Sequence, residues 1–202
     1  MKITIKYIPN IITVARIIMS FLFIHTIVGQ FVYGQDLKVN LIILFLAICC
    51  SDLLDGRIAR KTKSVSIIGA KLDVFADLLY IIISYITLIN IKILPLWFLG
   101  FICFKFTEFI ITSKFMKRNN KSLENAFVFD KVGRIVSATF FIIPGIVCIY
   151  KCFEPHDVAL IINCFIYSTL IAGLYSSYLR IKSCFMLADL NRAYSPNDKY
   201  MD

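Results

Sequence analysis

The chain has 202 residues, of which 59% are hydrophobic, and its mean hydropathy is +0.78. This composition excludes an ordinary soluble domain and predicts an all-α, polytopic membrane protein. The formal net charge of +9 does not indicate nucleic-acid binding, because no basic run is interleaved with aromatic residues that could stack on bases.

Six apolar runs are long enough to cross about 30 Å of hydrocarbon as helices. In chain order they cover residues 11–33, 39–57, 67–91, 94–115, 129–150 and 158–179. Residues 1–10 alternate Lys with apolar side chains, which predicts a short interfacial element ending in a turn at Pro9-Asn10. The first run is full length and no small-residue cleavage site follows it, so we expect it to be retained.

No internal repeat or long linker divides the chain, which predicts a single domain over residues 1–202 with a flexible tail from 190 to 202. The seven cysteines are an odd number, lie mostly inside the apolar runs and include no C-x-x-C pair. We therefore interpret them as small packing residues. His25 and His156 are isolated, so neither indicates a metal site.

The basic residues that flank the apolar runs alternate between two sides. Fourteen lie before the first run, between runs two and three, between runs four and five, or after the sixth; the opposite loops hold only Lys38, Lys92 and Lys151. Because Lys and Arg accumulate in cytoplasmic loops, this pattern predicts a multi-pass protein of the cell membrane with both termini and the Asp-rich segment between runs two and three on the cytoplasmic side.

Four carboxylates lie at the predicted cytoplasmic ends of runs two and three: Asp52, Asp55, Asp73 and Asp77. Each costs roughly 2.5 to 3.5 kcal/mol in the middle of an inserted helix, which makes an accidental cluster improbable. Spacings of three and four residues place each pair on one helix face. The short basic loop between runs two and three makes them antiparallel neighbours, so we predict that the four carboxylates converge. Since converging carboxylates repel one another, something cationic must lie between them. Hard oxygen ligands in this number suit two divalent ions, Mg²⁺ or Mn²⁺.

Small residues surround these carboxylates. Gly56 follows Asp55 directly, Ala59 lies one turn further, and Gly69 lies one turn before Asp73. They expose backbone to which a flat or bulky ligand can approach closely. Arg60 adds a planar guanidinium suited to a phosphate.

Three other interpretations stay open at this point. The carboxylates could form a sealing ion network with neighbouring basic residues, namely Arg57, Arg60, Lys61, Lys63 and Lys71. An ion-coupled transporter also gathers acidic residues on broken helices, although it predicts sites near the midplane in two similar halves. A catalytically inactive subunit is disfavoured because no acidic position is lost.

The same residues form a longer motif, Asp52-x2-Asp55-Gly56-x2-Ala59-Arg60-x8-Gly69-x3-Asp73-x3-Asp77. It resembles the complete signature of the CDP-alcohol phosphotransferases, and the helix number and size agree with that family. The resemblance implies that an alcohol attacks a CDP-linked lipid, usually CDP-diacylglycerol, with release of CMP. It also implies that the protein is a homodimer in the bilayer.

The resemblance also implies roles for the motif residues. Asp52, Asp55 and Asp73 would bind two divalent ions that hold the diphosphate, and Asp77 would contact the metal site and act as general base. The CDP-binding positions would be Asp55, Gly56, Ala59, Arg60, Gly69 and Asp73.

The acceptor alcohol depends on other residues. Charged residues in or beside the apolar runs are expected to line a polar cavity: Arg16, Lys71, Lys105, Glu108, Asp130, Lys131 and Arg134. Among them we predict Lys105, Lys131 and Arg134 as acceptor-binding residues. Lys131 and Arg134 are three apart and can present two cations to a phosphate, or else anchor the helix at the membrane surface.

Two segments, Ile8 to Arg16 and Lys131 to Arg134, resemble bacterial phosphatidylglycerophosphate synthases, which makes glycerol 3-phosphate the leading acceptor. Three positions depart from that pattern: Val74 follows Asp73 where those proteins have Pro, Leu78 follows Asp77 where they have Lys, and Thr107 precedes Glu108 where they have Arg. Phosphatidylglycerol (giving cardiolipin), inositol phosphate and serine remain alternative acceptors.

Overall fold

The computed structural model describes residues 2–62, 67–119, 131–153 and 158–194. Within these ranges the chain forms six α-helices and no strand. The helices are α1 (Lys2–Phe31), α2 (Lys38–Thr62), α3 (Ile67–Asn90), α4 (Leu96–Asn119), α5 (Lys131–Phe153) and α6 (Val158–Tyr194). The predicted all-α fold is thus confirmed. Helices suit these apolar segments because each helix satisfies its own backbone hydrogen bonds.

Five of these helices are long and apolar enough to cross a membrane. Their apolar stretches are Asn10–Phe31, Lys71–Asn90, Leu96–Met116, Gly133–Phe153 and Leu160–Met186, in α1, α3, α4, α5 and α6. The side chains of α2 are described only as far as Leu54, so its membrane span stays a prediction. Many large apolar side chains point outward, as Phe21 does on α1 and Ile111 on α4. Outward apolar faces of this kind suit a multi-pass membrane protein.

Both ends of the helical chain differ from the sequence-based expectations. Residues Lys2 to Asn10 are the first turns of α1, without the expected turn at Pro9-Asn10. A proline removes one hydrogen bond from the helix, and the turns on either side continue it. At the other end α6 continues to Tyr194, into the predicted tail, whose remaining residues lie outside the described ranges.

The chain divides into two compact units. The first comprises Met1–Leu99 and Phe140–Ile162, and the second comprises Gly100–Thr139 and Asn163–Asp202. In the first unit α1 packs against α2 and α3. A short connection joins α1 to α2, in which Gly34 has a φ of 66° that favours glycine. The side-chain oxygen of Gln30 accepts a hydrogen bond from the backbone N–H of Leu37 across this connection.

Aromatic rings fill the core of the first unit. The ring of Phe23 on α1 lies 6.3 Å from that of Phe45 on α2 and 5.9 Å from that of Tyr80 on α3. Gly145 on α5 lies directly against Phe45, since a Cβ at this glycine would be 2.1 Å from the ring. This packing holds α2 and α3 beside α1 at fixed positions, which matters because the acidic residues lie on α2 and α3.

Candidate functional site

Three of the four predicted carboxylates converge in the first unit. Asp52 on α2 and Asp73 and Asp77 on α3 each offer a carboxylate oxygen, and these oxygens all lie within 4.8 Å of one another. Asp73 and Asp77 are one helical turn apart and therefore share a face of α3. The predicted convergence is present for these three residues.

A guanidinium from α1 lies between the carboxylates. Arg16 Nη1 donates hydrogen bonds to Asp77 Oδ1 at 2.6 Å and to Asp73 Oδ1 at 2.8 Å, and it lies 3.2 Å from Asp52 Oδ1. The Arg16 side chain is fully buried, at 0% exposure. A buried charge is tolerated only when it is paired and hydrogen-bonded, and here three carboxylates meet that need.

Ser51 fixes the orientation of this guanidinium. Its hydroxyl oxygen accepts a hydrogen bond from Arg16 Nε at 3.2 Å and donates one to the Ile48 carbonyl at 2.7 Å. Ser51 precedes Asp52 on α2, so one turn of this helix contacts the guanidinium through two side chains. Charge-assisted hydrogen bonds from a rigid planar group give a defined geometry.

The carboxylates remain reachable from outside the unit. Their side chains are between 32% and 38% exposed, in contrast to the buried arginine. Three ionised carboxylates and one guanidinium leave a formal charge of −2 at the cluster, which favours a further cation. The donors are all carboxylate oxygens, the ligand type that Mg²⁺ and Mn²⁺ prefer. The cluster therefore fits a divalent metal site.

Several predicted site residues lie beyond what the structure describes. Asp55, Gly56, Ala59 and Arg60 belong to helix α2, but their side-chain environment is outside the described part. Gly69 lies near the start of α3 and is half-buried. The metal, nucleotide and general-base roles of the motif therefore stay predictions.

The alternative of a sealing ion network did not include the basic residue that contacts the carboxylates in the structure. It drew only on basic residues of α2, α3 and their connection; among these, the side chain of Lys71 is exposed and those of Arg57, Arg60, Lys61 and Lys63 lie outside the described part. The cation in contact with the carboxylates is Arg16 of α1.

The sequence did indicate that Arg16 faces the protein interior and has a partner there. It is the one Lys or Arg in the first apolar run, and a charge inside a span normally faces the protein interior and has a partner. The acidic cluster needed a cation, yet nothing in the spacing showed that the first helix would supply it. It is the packing of α1 against α2 and α3 that brings the buried arginine to the carboxylates.

A second buried polar cluster lies in the second unit. Lys105 Nζ on α4 donates to Glu108 Oε2 at 2.8 Å and to the Ser177 hydroxyl on α6 at 2.8 Å. The Ser177 hydroxyl in turn donates to Glu108 Oε2 at 2.6 Å. Lys105 was predicted to bind the acceptor, and in the structure it is 9% exposed and paired with Glu108.

Arg180 on α6 extends this cluster toward the end of α4. Its Nε donates to the Thr112 hydroxyl, Nη2 donates to Ser113 Oγ at 2.7 Å, and the guanidinium lies 4.5 Å from the centre of the Phe109 ring. The predicted end of the sixth run at residue 179 placed Arg180 among the basic residues that follow the run. That placement was wrong, because α6 continues past this position and the side chain is only 4% exposed.

The two remaining acceptor candidates are on α5. Arg134 is exposed, and the side chain of Lys131 lies outside the described part. Both belong to the second unit, whereas the three carboxylates belong to the first. Their acceptor role stays a prediction.

Three curated relatives are similar to part of the chain. Cardiolipin synthase (CMP-forming) of Streptomyces coelicolor is 38% identical over 45% of this chain and 42% of its own length. The probable cardiolipin synthase (CMP-forming) of Drosophila melanogaster is 37% identical over 50% of the chain and 30% of its own length. CDP-diacylglycerol–glycerol-3-phosphate 3-phosphatidyltransferase of Treponema pallidum is 33% identical over 38% of the chain and 34% of its own length.

The chain thus spans less than half the length of these relatives. No solved structure matches it. The family model described as CDP-alcohol phosphatidyltransferase, in contrast, matches residues 6–175, most of the chain, including every position of the acidic motif. The chain belongs to the CDP-alcohol phosphatidyltransferase family.

Proposed function

We propose that this protein transfers a phosphatidyl group from CDP-diacylglycerol to an alcohol in the membrane, with release of CMP. The observation that carries the proposal is the meeting of Asp52, Asp73 and Asp77 oxygens at one partly exposed point. Family membership over residues 6–175 supports the same reaction class.

Three of the four carboxylates would bind metal ions in the reaction. Asp52, Asp55 and Asp73 would hold two divalent ions, Mg²⁺ or Mn²⁺, and such ions neutralise charge that develops on the diphosphate. Gly56, Ala59 and Gly69 would leave room for the cytidine, and Arg60 would contact the diphosphate, as the resemblance of the motif implies. These assignments rest on the motif together with the convergence of three of its carboxylates.

Asp77 would act as general base. In the proposed step the acceptor oxygen attacks the phosphorus that carries the diacylglycerol, its proton passes to the Asp77 carboxylate, and the bond to the bridging oxygen of CMP breaks. Asp77 is 32% exposed, which leaves it accessible to an acceptor hydroxyl. A positioned carboxylate can supply this proton transfer at neutral pH.

Glycerol 3-phosphate is the proposed acceptor. Supporting it are the Ile8-to-Arg16 segment, the Lys131–Arg134 pair as a phosphate-binding element, and the name of the Treponema relative. Phosphatidylglycerol is the second candidate, because the Streptomyces and Drosophila relatives are named as cardiolipin synthases. Both acceptors offer a primary hydroxyl on a glycerol that carries a phosphate ester, so the same chemical step would apply to either.

The proposed location is the cell membrane, with the carboxylates on the cytoplasmic side. Basic residues are in clear excess on one side of the spans, also when the buried Arg180 is left out, and this excess supports the orientation. The CDP portion of the donor and a phosphorylated acceptor are both polar, so they would reach the site from water. A homodimer is proposed from the family resemblance alone.

A CMP-release assay tests the proposed function. Purified protein with CDP-diacylglycerol and Mg²⁺ is supplied separately with glycerol 3-phosphate, phosphatidylglycerol, inositol phosphate and serine. We expect CMP with glycerol 3-phosphate and a product that retains a terminal phosphate. CMP with phosphatidylglycerol instead would make the second candidate correct. No CMP with any acceptor would contradict the proposal and favour an inactive subunit.

A further inference from the structure

Arg16 has a place in the acidic cluster that the proposed reaction does not use. A single nitrogen, Nη1, lies 2.6, 2.8 and 3.2 Å from oxygens of Asp77, Asp73 and Asp52. The same three residues each offer a carboxylate oxygen within 4.8 Å of the others, close enough together to hold a metal ion. The guanidinium nitrogen thus occupies the point on which the described ligand atoms converge.

A divalent ion and this nitrogen cannot share that point. Mg²⁺ binds oxygens at about 2.0 to 2.1 Å, and two cations at the same centre repel each other strongly at low dielectric. Without any cation the carboxylates would repel one another instead. The cluster therefore needs a positive charge at its centre when no metal is bound, and the buried guanidinium supplies one.

We propose that Arg16 is an internal counterion that keeps the metal ligands assembled before metal binds, and that divalent ions bind by displacing its guanidinium from the carboxylates. The inference rests on the proposed metal site. Arg16 is a positioning residue in this scheme: it holds Asp52, Asp73 and Asp77 together and at the same time weakens their affinity for the metal. Ser51 accepts a hydrogen bond from Arg16 Nε and so holds the guanidinium where it competes with the metal for the carboxylates.

Arg16→Met removes the charge and introduces no ligand atom, so it should lower stability and raise metal affinity at the same time. The metal-free variant should melt below the metal-free wild type, because three carboxylates lose their cation. Its affinity for Mn²⁺ should nevertheless rise by about ten- to hundredfold, because the competitor is gone. A side chain that serves only to support the fold would not produce a gain in metal affinity together with a loss of stability.

Ser51→Ala provides a milder variant that keeps α2 helical. It removes the acceptor of Arg16 Nε and should raise Mn²⁺ affinity by about two- to fivefold. Arg180→Met is the matched control, since Arg180 is also a buried arginine and lies in the second unit with Thr112 and Ser113. It should lower stability and leave Mn²⁺ affinity within about twofold of the wild type.

The measurement uses the full chain in nanodiscs, stripped with EDTA and desalted. Free Mn²⁺ is followed by electron paramagnetic resonance, and melting is followed by circular dichroism. Unchanged or weaker Mn²⁺ binding in folded Arg16→Met overturns the proposal, as does an equal gain in Arg180→Met. If Arg16→Met does not fold, Ser51→Ala decides: a gain supports the competition, and no gain overturns it. No donor lipid or acceptor is present, so either result is independent of the CMP-release assay.

Discussion

Replacing Lys105 by methionine tests whether this residue supports the fold, binds the acceptor, or does both. Lys105 and Glu108 are 9% and 8% exposed, and their charged atoms are 2.8 Å apart. At that separation the Coulomb attraction is about 6 kcal/mol for an effective dielectric constant of 20, before the cost of desolvation. Glu108 Oε1 is buried with no hydrogen-bond partner among the described residues, so Glu108 depends on Lys105 for charge compensation.

We therefore expect Lys105→Met to lower the free energy of unfolding by about 3 to 5 kcal/mol, since it leaves a buried unpaired carboxylate. Adding Glu108→Gln should bring the double variant back to within about 1 kcal/mol of the wild type, because no buried charge remains. Gln keeps an oxygen that can accept the hydrogen bond from Ser177. The stabilities can be measured by SDS titration in mixed micelles with circular dichroism.

A double variant as unstable as Lys105→Met would refute this reasoning, because the loss would then come from packing and not from an unpaired charge. The same variant also tests the acceptor assignment. With stability restored, a rise of about tenfold in the KM for the phosphorylated acceptor would confirm that Lys105 binds it. An unchanged KM would show that the acceptor prediction for Lys105 is wrong.

Three further changes test other parts of the molecule. Asp77→Asn should lower kcat by about 10² to 10⁴ without loss of thermal stability, whereas the control Asp36→Asn should keep full activity; an active Asp77→Asn would exclude the general-base role. Lys131→Ala and Arg134→Ala should each raise the KM for a phosphorylated acceptor by about tenfold and leave that for CDP-diacylglycerol unchanged. Equal effects on both substrates would assign the pair to the diphosphate. Gly145→Ala should cost about 1 to 3 kcal/mol, because its Cβ would lie 2.1 Å from the Phe45 ring. The control Gly100→Ala has no atom within 4 Å of the new Cβ and should be neutral or slightly stabilising; similar losses in both would contradict the packing argument.

Hydropathy predicted the number of helices and most of their limits, because each apolar run had to satisfy its own backbone in lipid. The spacing of Asp73 and Asp77 likewise predicted a shared face, and the predicted convergence with the carboxylates of α2 is present for Asp52. The ends of the helices were less predictable. Near a membrane surface the chain can either turn or continue as a helix. This is why the turn predicted at Pro9 and the helix end predicted before Arg180 were both wrong.

The partner of the acidic cluster could not be predicted from local pattern. Arg16 precedes Asp52 by 36 positions and Asp77 by 61 positions along the chain. Its contact with them depends on how α1 rotates about its own axis when it packs on α2 and α3. Rotation of this kind is set by many side chains, including the rings of Phe23, Phe45 and Tyr80, so no single spacing reveals it.

The hydrogen bonds of Arg180 bear on how the chain enters the bilayer during synthesis. An arginine inside a spanning helix opposes insertion by roughly 2.5 to 3.5 kcal/mol. The Thr112 and Ser113 hydroxyls and the Phe109 carbonyl accept hydrogen bonds from Arg180, and they belong to α4, which is made earlier than α6. Helix α6 therefore meets these polar partners already in the membrane, and changes in α4 that remove them should leave α6 poorly integrated even though the sequence of α6 is intact.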